Sequence, residues 1–178
     1  MIAGNLKRTP LLRRRYFVAA LAAVTIYLGC PFRLEVVRGD SMNPTLHDGS
    51  VCVLDRSYYT RHAMAPGDVI AFRMGDTLLS KRVYGAPGQI IELVQFPFDG
   101  TYGVPEPAML SHLRRLSKSA FAIHSNWSPS LVRLDIPPGK CFVLGDNSAV
   151  SEDSRVFGLV DTNTVLGKMV APSSVEGQ

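Results

Sequence analysis

The sequence predicts a mainly β protein, an antiparallel β sandwich or barrel-like domain with one N-terminal transmembrane helix. Two observations predict it. From residue 34 onward, short apolar and β-branched runs alternate with Gly and Pro turns at the spacing of an antiparallel meander. Ahead of them, a basic leader without acidic residues precedes an uncharged apolar run. A chain of 178 residues holds one compact core beside such a segment, not two large domains.

Residues 1–15 form the leader, where Lys7, Arg8, Arg13, Arg14 and Arg15 crowd together and the first acidic residue is Glu35. The apolar run, Tyr16 to Phe32, is about 17 residues long, the lower end of what crosses a hydrocarbon core as helix. A cleaved targeting peptide and a buried core helix compete with an anchor here. No small-x-small cleavage site follows the run, and the residues just after it belong to the candidate active site, which favours the anchor. With Arg13 to Arg15 held on the cytoplasmic or matrix side, everything after Pro31 lies on the opposite face. The net charge of +4 is concentrated in the leader, a membrane layout, and no nucleic-acid partner is expected.

Residues 33–171 form the β-rich domain. Leu34 to Val37 reads as a strand, Gly39 to Leu46 as a turn-rich segment, and Ser50 to Asp55 as the next strand. Pro66-Gly-Asp68 turns into a strand over 69–73, and Gly75-Asp76 makes a hairpin to the return strand, Thr77 to Tyr84, which carries Lys81. Ala86-Pro-Gly88 leads into Gln89 to Val94. Residues 98–135 read as an insertion or lid with a short helix over 107–121. A strand at Lys140 to Leu144 runs into Gly145-Asp-Asn147, and Val160 to Val170 closes the sheet as a strand pair or a short helix plus strand. The tail, 172–178, is expected to be disordered.

Three cysteines, Cys30, Cys52 and Cys141, have no CxxC or Cys/His spacing, and the four histidines are scattered. Neither a disulfide framework nor a metal site is predicted, and no cofactor is required. Hydrolytic chemistry needs a nucleophile, a base and oxyanion donors. No Gly-x-Ser-x-Gly elbow is present and no histidine sits in a triad context, so an active serine would take lysine as its base. Lysine serves only when neutral. Its pKa must come down from about 10.4 to near 7, equivalent to about 4 kcal/mol, which desolvation in an apolar site supplies. Lys81 stands among Leu78, Leu79 and Val83, an environment of that kind.

Four blocks, Gly39-Asp-Ser-Met-Asn-Pro-Thr-Leu46, Pro66-Gly-Asp-Val-Ile-Ala-Phe-Arg73, Ser80-Lys-Arg-Val-Tyr-Gly-Ala-Pro-Gly88 and residues 145–158, GDNSAVSEDSRVFG, occur in the order typical of type I signal peptidases. Together they resemble that serine-lysine family, and most closely its small mitochondrial inner membrane protease subunits. The likeness covers about two thirds of the chain after the anchor and fails at 98–135. It implies the signal peptidase fold, Ser41 as nucleophile, Lys81 as general base and Ser151 as the hydroxyl that orients the lysine. It pairs Arg82 with Asp146, with Asp153 and Arg155 as a second pair, all four as bracing. The Ser41 amide becomes one oxyanion donor. Gly39 stands where some members carry a hydroxyl donor, leaving any second donor to backbone or water. Ser148 stands where the bacterial pattern has arginine, which with the small size and acid-free leader tilts the resemblance toward the mitochondrial branch.

The expected function is a membrane-anchored serine endopeptidase that removes signal or sorting peptides from precursor proteins. The expected location is the mitochondrial inner membrane, single-pass, with the catalytic domain facing the intermembrane space and with a second protease subunit as a partner. A bacterial plasma membrane enzyme is the alternative. A noncatalytic partner subunit would not need Ser41, Lys81 and Ser151 together. A self-cleaving repressor would need a DNA-binding domain where the apolar run stands. Arg38-Gly-Asp40 as an adhesion tripeptide is a short string that arises by chance.

Overall fold

The computed structural model describes residues 15–21, 29–96, 101–117 and 129–170. From residue 32 onward the described residues form ten strands, three α-helices and a 3-10 turn (Thr162–Thr164), in order: β1 (Phe32–Val36), β2 (Val51–Asp55), α1 (Tyr58–Arg61), β3 (Val69–Met74), β4 (Thr77–Gly85), β5 (Ile90–Gln95), β6 (Tyr102–Gly103), α2 (Pro107–Ser117), β7 (Ser130–Asp135), β8 (Lys140–Leu144), α3 (Ser154–Phe157), β9 (Val160–Asp161) and, after the 3-10 turn, β10 (Val165–Val170). The β3–β4 hairpin closes as the sequence suggests, Met74 pairing Thr77 around Gly75, whose φ of 58° suits the first position of a tight hairpin turn.

The strands form two antiparallel sheets, one ordered β1-β2-β10-β3-β4-β8-β9 and one ordered β6-β5-β7. The larger sheet is open, with β1 and β9 at its ends, so the architecture is packed open sheets and not the barrel-like form also expected. A closing pair between β1 and β9 would be needed for a barrel, and each of them finds its only partner on one side among the described residues. The stretch read as an insertion contributes β6 and β7, which flank β5 and complete the small sheet. Helix α2 ends at Ser117, and residues 118–121 of the predicted helix lie outside the described residues.

No helix among the described residues is long and apolar enough to cross a membrane. Of the expected anchor, residues 16–21 are helical and exposed, residues 22–28 lie outside the described residues, and Phe32 belongs to β1. The far end of the apolar run is therefore strand: Phe32 pairs with Asp55 across the β1–β2 ladder. The leader to residue 14 and the tail from 171 also lie outside the described residues.

Burial follows strand alternation. One core cluster joins Val37, Met42 and Leu46 to Cys52, Leu54, Val69, Ala71 and Met169; a second gathers Ile70, Phe72, Val83, Ala86, Cys141, Val143 and Val160. A third, with Ile91, Leu93, Ile136 and Phe142, packs the small sheet against β8. Burying each such side chain contributes about 1.5–3 kcal/mol. Met42 and Leu46 peg the segment after β1 into the first cluster, and so fix the backbone on either side of them.

Candidate active site

Ser41 stands on the turn between β1 and β2, immediately before the buried Met42. The turn is closed by Leu46 N donating to Met42 O at 2.9 Å and Asn43 N to Asp40 O at 3.1 Å. Lys81 stands in mid-β4, opposite Ile70 of β3. Its ammonium nitrogen lies 2.7 Å from Ser41 Oγ, although the two residues are 40 apart in sequence. Lys81 is only 3% exposed. Burial lowers its pKa below the ordinary lysine value; Asp153 and Glu152 oppose that, and Arg155 assists it.

The loop after β8 closes the other side. Asn147 N donates to Ser41 O at 3.0 Å. Gly145 has to be glycine here: a Cβ would come within 2.1 Å of Ser151 Oγ and 2.6 Å of Ser41 O. The Ser151 hydroxyl and the Ser41 main chain thus converge on the same small space. Ser151 Oγ donates to Asp153 Oδ2 at 2.9 Å, so its hydrogen bond runs to the carboxylate and not to Lys81. A hydroxyl whose proton is committed to a carboxylate presents its lone pairs elsewhere, as an acceptor.

Asp153 is the hub of this loop and is fully buried. It accepts from Gly145 N at 3.0 Å and Ser151 Oγ, caps α3 through Arg155 N at 3.2 Å, and takes both Nε and Nη2 of Arg155 at 2.8 Å. Burial alone would raise its pKa, but Arg155 and the other donors hold it below the usual carboxylate value. Arg82 and Asp146 form a second two-pronged pair, 2.8 and 2.7 Å, with Arg82 also donating to Gly67 O and Thr45 Oγ1. The structure therefore brings together Ser41 with Lys81, Arg82 with Asp146, and Ser151 with Asp153 and Arg155.

Beside Ser41 opens a cleft of about 620 Å³, bordered by residues 34–38 on one side and 76–80 on the other. Strand β1 is the outermost of its sheet, and β4 meets β8 only from Arg82 onward, so Thr77 to Ser80 have no strand partner on that edge among the described residues. Alternating antiparallel neighbours make β1 and β4 run in the same direction, both toward the serine and lysine.

A buried lysine thus touches a serine next to an open strand edge, with a Gly-Asp-Asn loop behind it. Residues 12–173 match the profile of the family described as signal peptidase, peptidase S26. The chain belongs to that family. Its members are serine endopeptidases. The chain is 31% identical over 159 residues to signal peptidase I of Bacillus caldolyticus, covering 86% of this chain and 85% of that one. It is 32% identical over 161 residues to signal peptidase IB of Staphylococcus aureus (strain Mu50), covering 84% and 83%. A crystal structure of a signal peptidase I from Enterococcus faecalis V583 matches at 28% identity with a TM-score of 0.37, covering 61% of this chain and 98% of that one. The Bacillus and Staphylococcus relatives are bacterial, which fits the alternative location and lends no support to the mitochondrial branch suggested by Ser148.

Asp68, Lys168 and Tyr59, which sequence reasoning does not single out, make a further network around the buried Asp68 carboxylate. Its only sequence signal is Pro66-Gly-Asp68, which reads as a turn; the ion-pair partner Lys168 stands 100 residues away.

Proposed function

We propose that this chain removes signal peptides from precursor proteins at a membrane, with Ser41 as nucleophile and Lys81 as general base. The observation that carries the reading is the 2.7 Å contact between a buried, pKa-lowered lysine and a serine hydroxyl at the mouth of a cleft. An extended peptide laid between β1 and Thr77–Ser80 would gain main-chain hydrogen bonds from either edge, placing its carbonyl at Ser41. The Ser41 oxygen bonds to that carbonyl carbon as neutral Lys81 takes its proton; the C–N bond breaks, and Lys81 returns the proton to the leaving amine. Lys81 then removes a proton from water, whose oxygen bonds to the ester carbon; the C–O bond to Ser41 breaks, and Lys81 returns that proton to Ser41 Oγ. The Ser41 amide supports the oxyanion.

Ser151 serves Lys81 indirectly in this scheme. With its O–H directed at Asp153, its oxygen would be free to accept from the lysine N–H during the reaction, aiming the nitrogen lone pair at Ser41. Ser151→Ala is expected to lower kcat about 10²-fold and to leave KM within about twofold, leaving a weak activity measurable with a fluorogenic precursor peptide. Because only neutral Lys81 acts, kcat/KM rises with pH through the lowered lysine pKa and then levels. A flat profile from pH 6 to 10 would contradict the lysine base.

The apolar run before β1 supports membrane anchoring. So does the outward apolar stripe of Phe32, Leu34 and Val36, extended by Val51 and Val170 on the paired strands, since a contiguous apolar patch of this kind suits a lipid or protein surface. The bacterial relatives support a plasma membrane location over a mitochondrial one. The deciding experiment incubates the purified, detergent-solubilised chain with a panel of precursor peptides and maps the products by mass spectrometry. Single cuts after the signal peptide would bear the reading out. A folded chain that cuts none of them would be a subunit needing a partner, or a noncatalytic one.

A further inference from the structure

Beside β3 lies a partly buried cluster of charges, centred on the buried carboxylate of Asp68, that the reaction does not use. Asp68, 7% exposed, accepts from Ala65 N at 3.1 Å, Tyr59 Oη at 3.0 Å and Lys168 Nζ at 2.6 Å. Lys168 also reaches Tyr58 Oη at 3.3 Å and lies 4.4 Å over the Tyr58 ring. Three separate elements, α1, the turn before β3, and β10, are thereby tied at one carboxylate. Its donors hold Asp68 below the usual carboxylate range against the effect of burial, and the carboxylate raises Lys168 in turn, so the pair stays charged across the neutral range.

The same turn is clipped to β4 just beyond Lys81. Gly67 N donates to Val83 O, Val83 N donates to Asp68 O, and Arg82 Nη1 donates to Gly67 O, each at 2.8 Å. Register places Lys168, Ile70 and Lys81 abreast on three neighbouring strands. An ion pair with one buried partner, as Asp68 is here against the partly exposed Lys168, is a poor source of net stability, because the desolvation of the carboxylate offsets much of the attraction. What it supplies is a fixed geometry with few alternatives.

We propose that the Asp68–Lys168 pair, completed by Tyr59, is a positioning device for Lys81: it fixes the turn to which Arg82 and Val83 are hydrogen-bonded, and so holds the lysine at contact distance from Ser41. This rests on the proposed serine-lysine mechanism. Lys81 itself is surrounded by the charges of Asp153, Arg155 and Glu152, and Lys168 is not among those that shift it. Loss of the Lys168 charge therefore would not move the Lys81 titration directly; a moved titration reports a displaced lysine.

The test uses the full chain in detergent with Lys168→Met, Lys168→Arg and the milder Tyr59→Phe. Hydrogen exchange at the Val83 amide is read together with kcat, KM and the acidic limb of the pH profile. Lys168→Met is expected to speed Val83 exchange about tenfold, cut kcat at least tenfold with KM within twofold, and move the acidic limb to higher pH as water reaches Lys81. Tyr59→Phe should do the same more weakly, and Lys168→Arg should recover most of kcat. A variant that loses only thermal stability, with wild-type kcat and limb, would overturn the proposal. A wild-type chain that cuts no precursor would count against the proposed function alone, while Val83 exchange unchanged in Lys168→Met would separately overturn the clamp.

Discussion

Replacing Ser41 by Ala or Lys81 by Met is expected to lower precursor cleavage at least ~10³-fold each, and combining them to lower it no further. Groups that act as one unit are not additive: without the amine, Ser41 Oγ is an ordinary alcohol, and without the hydroxyl, the amine has no proton to take. Steady-state cleavage of one peptide by the four proteins tests this directly. A Lys81→Met enzyme with near-native kcat would remove lysine from the mechanism, and a double variant much worse than both singles would mean that the two act separately.

Lys81→Met carries a second expectation, opposite in sign. Burial lowers the lysine pKa in the folded chain below its unfolded value, so between those two values the unfolded chain holds more protons and stability rises with pH. At neutral pH the native protein therefore carries the cost of a buried amine. Methionine, of similar length and apolar, removes that cost, and the variant should melt at a higher temperature than the wild type while being inactive. The difference in Tm should shrink as pH approaches the ordinary lysine value of about 10.4.

Asp153→Ala should be the most destabilising change in the site, by about 3–5 kcal/mol in denaturant unfolding, because it leaves Arg155 without its carboxylate and strips the partner from Gly145 N and Ser151 Oγ. The side chain is fully buried and every oxygen is engaged, unlike the Arg61–Asp55 pair, whose arginine is 58% exposed and whose loss through Arg61→Ala should cost under about 1 kcal/mol. The sign in pH follows from the lowered carboxylate pKa. The contribution is complete above the usual aspartate value and disappears as pH falls through the lowered one, so wild type and variant should converge in strong acid. An Asp153→Ala protein with wild-type unfolding would show that the loop after β8 is held by other contacts.

Much of this site was legible in the amino-acid sequence because its parts are local. The Gly-Asp-Ser-Met turn, the apolar strand around Lys81 and the Ser-Glu-Asp-Ser-Arg run each announce themselves within a few residues, and hairpin turns such as Gly75-Asp76 depend on backbone preferences that neighbours alone impose. The strands over 51–55, 69–74, 77–85 and 140–144 were legible for the same reason. Short helices α1 and α3 were not, since four residues carry no period; α3 exists because Asp153 caps it from a buried position. Nor was the pairing of β5 with β7, separated by a stretch of irregular composition.

By itself, the sequence determined the residue types, their order, the apolar run and the turns. Only tertiary structure decided that Lys81 meets Ser41, that Ser151 gives its proton to Asp153, that Arg82 grips Asp146, and that Lys168 closes on Asp68. Each of these contacts joins groups whose strands become neighbours only through the sheet order, or whose shared burial depends on the whole core. The energy of a buried charge is set by what surrounds it in space, and that surrounding is assembled from segments 40 residues apart for Lys81 and Ser41 and 100 apart for Lys168 and Asp68.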